Sequence, residues 1–423
     1  MKKYLLFLSL IIIGVLSIVF FKYYSDEINE KNKTLTTRNS LISQKKESLK
    51  TEDLDILLDG SIHSSGEWLL RNQKADGSFN YERDVTTGEI TDSENNIVRQ
   101  SGTLYGVAKL YNYTKDTRYK ETLLKGFNYF DTLAETKDLE GTTVRYFKEG
   151  GSVQANTVAL QILAYLELAK ADRDLPSDLS TKLEEMVNFI KLSQQSNGAF
   201  QNYFLNKIKI ECWESDYNNR ESFFALTSYY KYSSDETLRP LLEISANYFL
   251  EKYKDFNIEF YSRGMMGFSQ LYEITGNTNY RDYIYQNTDN MINVAGTNFL
   301  GIGAYLKSTN EANPLPDYSQ IVQTEGLLYV YKIAVMDNPE KASTYKNAII
   351  NSLAFHAVFQ SPWEETLPNR IYDVVKGGFC NRSDCSIQRI DMVHHALSAF
   401  IDALNFIDNS NLQLSVANSI NTK

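Results

Sequence analysis

The chain has little cysteine, no excess of positive charge and almost no strand-like alternation, and each shortage narrows what it can be. Its three cysteines, Cys212, Cys380 and Cys385, are too few for a four-cysteine zinc site. With 53 acidic residues against 43 basic ones the net charge is −10, which argues against nucleic acid as a partner. Also missing are the P-loop, a Gly-x-Gly-x-x-Gly turn after a strand, the Gly-x-Ser-x-Gly elbow and the His-Glu-x-x-His zinc motif. Nucleotide hydrolysis, dinucleotide redox chemistry, serine-hydrolase chemistry and zincin proteolysis therefore lose their usual carriers. The sequence implies no cofactor and no metal. It says nothing of oligomeric state.

What is present begins with an unbroken apolar run, Tyr4–Phe21, flanked by Lys2, Lys3 and Lys22. A helix needs about 17–25 residues to cross a bilayer, so the run is at the lower limit. Its bulky exit, Ile-Val-Phe-Phe-Lys-Tyr-Tyr, suits signal cleavage poorly, and 1–22 reads as an uncleaved signal anchor, a transmembrane helix, rather than a removed signal. The lysine pair marks the cytoplasmic side. The remainder then lies outside the cytoplasm, periplasmic or at the cell surface, with the membrane as a partner. Residues 23–52 are too polar to bury a core and read as a tether, and 411–423 as a polar tail. Outside the cytoplasm, Cys380 and Cys385 either close a small disulfide loop or stay as free buried thiols.

The stretch 53–410 is built on repeats, and repeats decide the fold class before anything else does. IVRQSGTLYGVAKLYNYTKDTRY (Ile97–Tyr119) returns as YSRGMMGFSQLYEITGNTNY (Tyr261–Tyr280), with an Arg near the helix start, an early Gly and a Leu-Tyr before a polar turn. LRNQKADGSFNY (Leu70–Tyr81) is answered by LSQQSNGAFQNY (Leu192–Tyr203). Apolar spacing predicts helices over 53–73, 97–113, 117–136, 153–170, 177–195, 219–232, 235–253, 260–275, 278–293, 319–336, 340–359 and 388–408. Thr142–Tyr146 and Lys207–Cys212 read as short hairpin pieces beside a rim. Helices starting near 97, 153, 219, 260, 319 and 388 are apolar on nearly all faces and so belong inside; their partners are amphipathic and belong outside. The series opens with an outer helix and closes with an inner one, and those two can pair. The expected fold is all-α: an (α/α)6 toroid of about twelve helices around a funnel.

This plan resembles the six-hairpin toroid superfamily of glycoside hydrolases, polysaccharide lyases and uronyl epimerases. The resemblance implies a carbohydrate-active protein, with an envelope or extracellular polysaccharide as partner. The Gln-x-x-Asp-Gly-Ser-Phe turn (Gln73–Phe79) is also similar to repeat turns of terpene cyclases and protein prenyltransferases. The aspartate-rich motif of the cyclases is missing, as is the Asp-x-Cys order of the transferases, so that branch is the lesser one.

Loops before the inner helices converge on one mouth, where a ligand is expected. The polar residues there are Arg99, Gln100, Gln154, Asn156, Asp216, Tyr217, Arg220, Glu221, Tyr261, Arg263, Gln323, Glu325, Arg389, Asp391, His394 and His395. Glycoside hydrolysis needs one protonated and one ionised carboxyl, for which Glu221, Glu325 and Asp391 are candidates. Lyase or C5-epimerase chemistry on a uronate needs a cation or amide on the sugar carboxylate and a His or Tyr to move the C5 proton. Arg99, Arg263, Asn156, Tyr217, Tyr261 and His394 or His395 offer that set. Gln100, Arg220, Gln323, Tyr372, Arg389 and Trp213 complete the candidate lining, the aromatics as stacking faces for sugar rings. The Arg side chains at the mouth favour an anionic ligand. The densest cluster is Gly377–Phe379 with Gln388–His395, where one of the two adjacent histidines is expected to face the funnel and the other to point away. A zinc set of Asp391, Cys385 and His395 is a minor alternative. A glycan-binding protein without an acid–base pair is the non-catalytic alternative.

Overall fold

The computed structural model describes Lys22 and residues 54–407, apart from 93, 140, 151, 202–214, 295–319, 359, 361–366 and 382–384. The apolar run at 4–21, the tether, Trp213, the expected strand piece at 207–212 and the polar tail all lie outside the described residues. Among the described residues no helix is long and apolar enough to cross a membrane.

All twelve expected helices are present. Outer helices are α1 (Leu54–Asn72), α3 (Thr117–Leu133), α5 (Ser177–Ser193), α7 (Leu238–Lys252), α9 (Thr278–Val294) and α11 (Pro339–Val358). Inner helices are α2 (Ile97–Thr114), α4 (Ala155–Asp172), α6 (Asp216–Ser233), α8 (Ile258–Thr275), α10 (Gln320–Asp337) and α13 (Ile390–Phe406). A thirteenth, the short α12 (Asn369–Val375), was not expected and packs on α1. Each inner helix packs on the next in the order α2, α4, α6, α8, α10, α13, and α13 returns to α2, so the ring is closed. The inner helices are enclosed as their composition demands: every residue of α4 from Ala155 to Ala169 is buried. The outer α5 buries a single stripe, Leu179, Leu183, Met186, Val187 and Ile190, the period of an amphipathic helix.

At one end inner and outer helices join by tight turns. Lys115, Ser234 and Gly276 adopt left-handed φ values of 58°, 56° and 67°, and each backbone N–H closes onto the carbonyl four residues back. Asp116 then caps α3 through the Arg118 N–H. Helix α1 also starts at this end, since Tyr113 at the finish of α2 donates to Asp59 at 2.8 Å. The end of α13 is there too, with Phe406 packed edge-on against Tyr329.

At the other end, small sheets flank the mouth. Strands β1 (Glu82–Asp84), β2 (Ile90–Thr91) and β6 (Ile387–Arg389) pair antiparallel in the order β2–β1–β6. Strands β3 (Ala134–Leu139), β4 (Thr142–Glu149) and β5 (Ser152–Val153) form a second sheet. The helix expected to 136 therefore stops at Leu133, because the chain turns directly into β3 and pairs with β4 from Ala134↔Phe147. That hairpin covers aromatic surface, with Phe147 edge-on to Phe130 and Tyr146 against Phe189.

The Gln…Gly-x-Phe turn proves to be the fastener of the ring. In the first copy, Gln73 Nε2 donates to the Thr122 carbonyl of α3 at 2.8 Å; in the second, Gln194 Nε2 donates to the Leu241 carbonyl of α7 at 2.8 Å. A third copy is hidden in the sequence by the insertion that carries α12. Gln360 pairs with Phe379 as Gln73 does with Phe79, and its amide donates to the Ser61 carbonyl of α1 at 2.9 Å. Each turn thus ties one outer helix to the next, and the third joins the last outer helix to the first. Gly77, Gly198 and Gly377 let the turns lie directly on the backbone of α3, α7 and α1. Cys380 and Cys385, just after the third turn, are joined in a disulfide, which selects one of the two cysteine expectations.

Candidate functional site

The inner-helix starts bring two charged clusters together. The first is centred on Arg263 of α8, only 1% exposed. Its Nε lies 2.6 Å from Glu221 Oε2 of α6, and its Nη2 4.0 Å from Glu325 Oε2 of α10. Tyr105 lies under the guanidinium at 5.2 Å. Glu325 Oε2 in turn meets His395 Nδ1 of α13 at 2.8 Å. Burial raises the Glu325 pKa, but Arg263 and His395 more than offset this and hold it at about 2. Arg220 extends the cluster outward: its guanidinium stacks over Tyr217 at 4.5 Å, its Nε is 3.4 Å from Glu221, and it donates to the Glu259 carbonyl. Tyr217 is 45% exposed and presents an aromatic face at the mouth. Gln323, at the start of α10, reaches the Ile258 carbonyl at 3.4 Å.

The second cluster surrounds Tyr81. Guanidinium groups of Arg99 and Arg389 lie over its ring at 4.7 and 5.1 Å. Asp391 is held by Arg389, whose Nε donates to Oδ1 at 2.9 Å, and faces Arg99 Nε at 3.7 Å. Arg389 also approaches Glu82 at 3.9 Å, and Arg99 donates to the Glu94 carbonyl. Arg99 is 27% exposed, against 18% for Arg389, so it is the more accessible of the pair.

The two adjacent histidines divide as expected of neighbours about 100° apart on a helix. His395 keeps 14% exposure; its ring lies 4.2 Å from that of His394, and beyond Glu325 it has no hydrogen-bond partner among the described residues. His394 is buried against α2, where an added Cβ on Gly102 would sit 2.6 Å from its Cε1. Burial, with His395 and Arg263 nearby, pushes its imidazole well below the ordinary value. His394 is thus a neutral packing residue rather than a group at the mouth.

Four other candidates prove to serve the scaffold or to stand apart. Gln100 Oε1 accepts the Phe79 N–H at 2.7 Å while its amide donates to the Phe79 carbonyl at 2.9 Å, so it clamps the first turn. Asn156 lies buried at the start of α4 with its backbone N–H on Asn218. Tyr372 belongs to α12, which packs on α1, and its ring meets Lys376 at 5.2 Å. Tyr261 is 1% exposed and shares a hydrogen bond of 2.9 Å with Thr288 of the outer helix α9. Tyr261→Phe is therefore expected to leave turnover unchanged and to cost about 1 kcal/mol in stability, as urea unfolding would show. Of the minor zinc set, Cys385 is in the disulfide and Asp391 and His395 are engaged by Arg389 and Glu325.

Below the first cluster lie charges that the repeat comparison passed over. Lys109 of α2 and Asp402 of α13 form a buried pair at 2.6 Å, and Glu167 of α4 is buried beside Asn112 and Lys170. Charges inside otherwise apolar runs, GVAKLY, AFIDAL and YLELAK, were the available signal. At the tight-turn end, a shallow depression holds Arg281, Asp289, Asp337 and Lys341, whose charges pair with one another.

No protein-family model matches the sequence, and no curated protein matches it. Solved structures do match. A D-mannose isomerase aligns over 82% of this chain and 97% of its own, at 13% identity and a TM-score of 0.60. The unsaturated glucuronyl hydrolase of Bacillus sp. GL1 aligns over 81% and 96%, at 13% identity and 0.58. An inactive variant of the α-1,6-mannanase of Salegentibacter sp., two consecutive aspartates replaced and α-1,6-mannotetrose bound, aligns over 83% and 98%, at 9% identity and 0.57. At these identities the likeness speaks for the fold, the six-hairpin (α/α)6 toroid.

Proposed function

We propose that this chain is a membrane-anchored, extracytoplasmic enzyme that moves a proton on an anionic polysaccharide, as a uronate lyase or C5-epimerase. The observation that carries this reading is the Glu325–His395 pair: a buried carboxylate holds one nitrogen of an imidazole that stays accessible at the mouth. Hydrolysis by paired carboxyls is less well supported, because it requires one of them to keep a proton. Glu325, the carboxyl that faces His395, is held at about 2. All three neighbours carry names of sugar-acting enzymes, which supports a carbohydrate ligand. The Cys380–Cys385 disulfide supports an oxidising compartment, and the lysine-flanked run at 4–21 supports the anchor.

In the proposed step a uronate ring stacks on Tyr217 and its carboxylate takes the spare donors of Arg99 or Arg220. That charge neutralisation acidifies the C5 hydrogen. With its proton on Nδ1 facing Glu325, His395 accepts the C5 proton at Nε2. In a lyase the C4–O bond then breaks, a C4–C5 double bond forms, and the leaving oxygen takes a proton from the His395 imidazolium or from water. In an epimerase C5 takes a proton from water on its other face, and His395 returns its own to solvent.

The test offers glucuronate- and galacturonate-containing polymers to the full-length protein in heavy water. Ultraviolet absorbance reports an unsaturated product, and mass spectrometry reports deuterium at C5. His395→Ala is expected to lower either signal about 100-fold or more. Absence of both signals from the unaltered protein overturns the reading.

A further inference from the structure

One layer below the Glu325–His395 pair, the ring axis carries polar side chains that the proposed step leaves unused. His395, Ser398 and Asp402 follow one another at helical spacing on one face of α13. Facing them from α2, Lys109 is 4% exposed, with its ammonium 2.6 Å from Asp402 Oδ2. Asp402 answers the charge of Lys109, as a buried ammonium requires. It does not account for a second donation, from Lys109 Nζ to Ser398 Oγ at 2.9 Å. A hydroxyl that accepts there has its own hydrogen free to turn elsewhere. Glu325 is the carboxylate beside it, and Ser398 is among the groups that keep Glu325 ionised. Glu325 Oε1 is buried without an ordinary hydrogen bond, while Oε2 takes His395. The Lys109–Ser398 and Glu325–His395 pairs thus lie one turn apart along α13, with the unpartnered Glu325 Oε1 as the acceptor open to the serine hydroxyl.

We propose that Lys109 is a positioning residue for His395. By donating to Ser398 it aims the serine hydroxyl at Glu325, and the carboxylate so fixed holds His395 with its proton on Nδ1 and Nε2 free. The proposal deepens the acid–base reading and rests on it for its catalytic meaning. A purely structural role for the Lys109–Asp402 pair, tying α2 to α13, predicts a loss of stability and nothing at His395.

Ser398→Ala separates the two, because it removes the link and leaves the ion pair in place. The chain has four histidines, so ring-nitrogen NMR of the full-length protein labelled at histidine can follow each, with His395→Gln identifying its signal. In the unaltered protein the neutral His395 ring is expected to favour the Nδ1–H form about tenfold or more. In Ser398→Ala and in Lys109→Met that preference should fall towards parity, with Ser398→Ala melting close to the unaltered protein. An unchanged tautomer ratio in Ser398→Ala overturns the proposal, whatever happens to stability. A shifted ratio in a protein inactive on every uronate polymer upholds the positioning chain and overturns the acid–base reading alone.

Discussion

Glu325→Gln is expected to reduce turnover on a uronate polymer about 100-fold or more while leaving KM within a few-fold of its starting value. The amide matches the carboxylate in shape, so the packing of α10 is kept. What changes is the charge next to His395 Nδ1. An amide can present either its oxygen or its NH2 group, so the imidazole is no longer compelled to keep its proton on Nδ1, and the Nε2 acceptor is lost for part of the population. Arg263 also loses one of its two counter-charges, at 4.0 Å, but keeps Glu221 at 2.6 Å. The stability loss should therefore be modest, about 1–3 kcal/mol, the range for an imperfectly satisfied buried group. Steady-state kinetics with a parallel urea titration checks both halves. Full activity in Glu325→Gln would remove the carboxylate from the proposed mechanism.

Gly377→Ala should be the most destabilising single-methyl change in the ring seam. Gly377 has φ of 89°, and a Cβ there would lie 2.1 Å from the Ser64 carbonyl of α1, backbone that cannot step aside. Gly141 is the natural control, because it has φ of 78° but nothing within 4 Å of the added carbon. Its replacement by Ala should cost only the left-handed backbone penalty, about 1–2 kcal/mol. Gly377→Ala adds displacement of α1 from the third turn, for a total of about 3 kcal/mol or more. Chemical denaturation of the two variants side by side measures the difference. Equal losses would mean that the seam yields easily and that the close approach to Ser64 contributes little.

The ring was legible in the sequence because its two kinds of helix are marked so differently. Segments such as Ala155–Ala169 have no polar face to show to water, while Leu179–Ile190 has only one apolar stripe. The third fastening turn was not legible, since the insertion between Gln360 and Gly377 breaks the spacing that made the first two copies recognisable. The helix expected to run to 136 shows a different limit. Residues 134–136 are compatible with helix locally, and only pairing with Phe147 through Arg145 turns them into strand.

For the site, position at an inner-helix start identified the charged clusters but could not tell lining from scaffold. Gln100 and Tyr261 occupy equivalent places to Arg99 and Arg263 within a residue or two, yet their side chains turn to the Phe79 turn and to Thr288. A rotation of about 100° per residue decides between mouth and packing, and helix boundaries read from sequence are too loose to fix it. Lys109 and Asp402 went unnoticed for the opposite reason. They sit in mid-helix, away from the starts, and their meaning appears only when α2 and α13 are seen to be neighbours.

The seam also bears on where such a chain needs to begin. Five inner helices pass into outer ones through tight turns, and the sixth such junction, from α13 to α1, is made by packing without a peptide link. The end of α13 and the start of α1 lie at the same pole of the ring as those five turns. A short linker from Ile407 to Leu54, with new termini cut at Lys115–Asp116, would exchange one covalent junction for another of the same kind. By this geometry the toroid has no privileged first helix: its order of synthesis is a matter of where the circle happens to be cut.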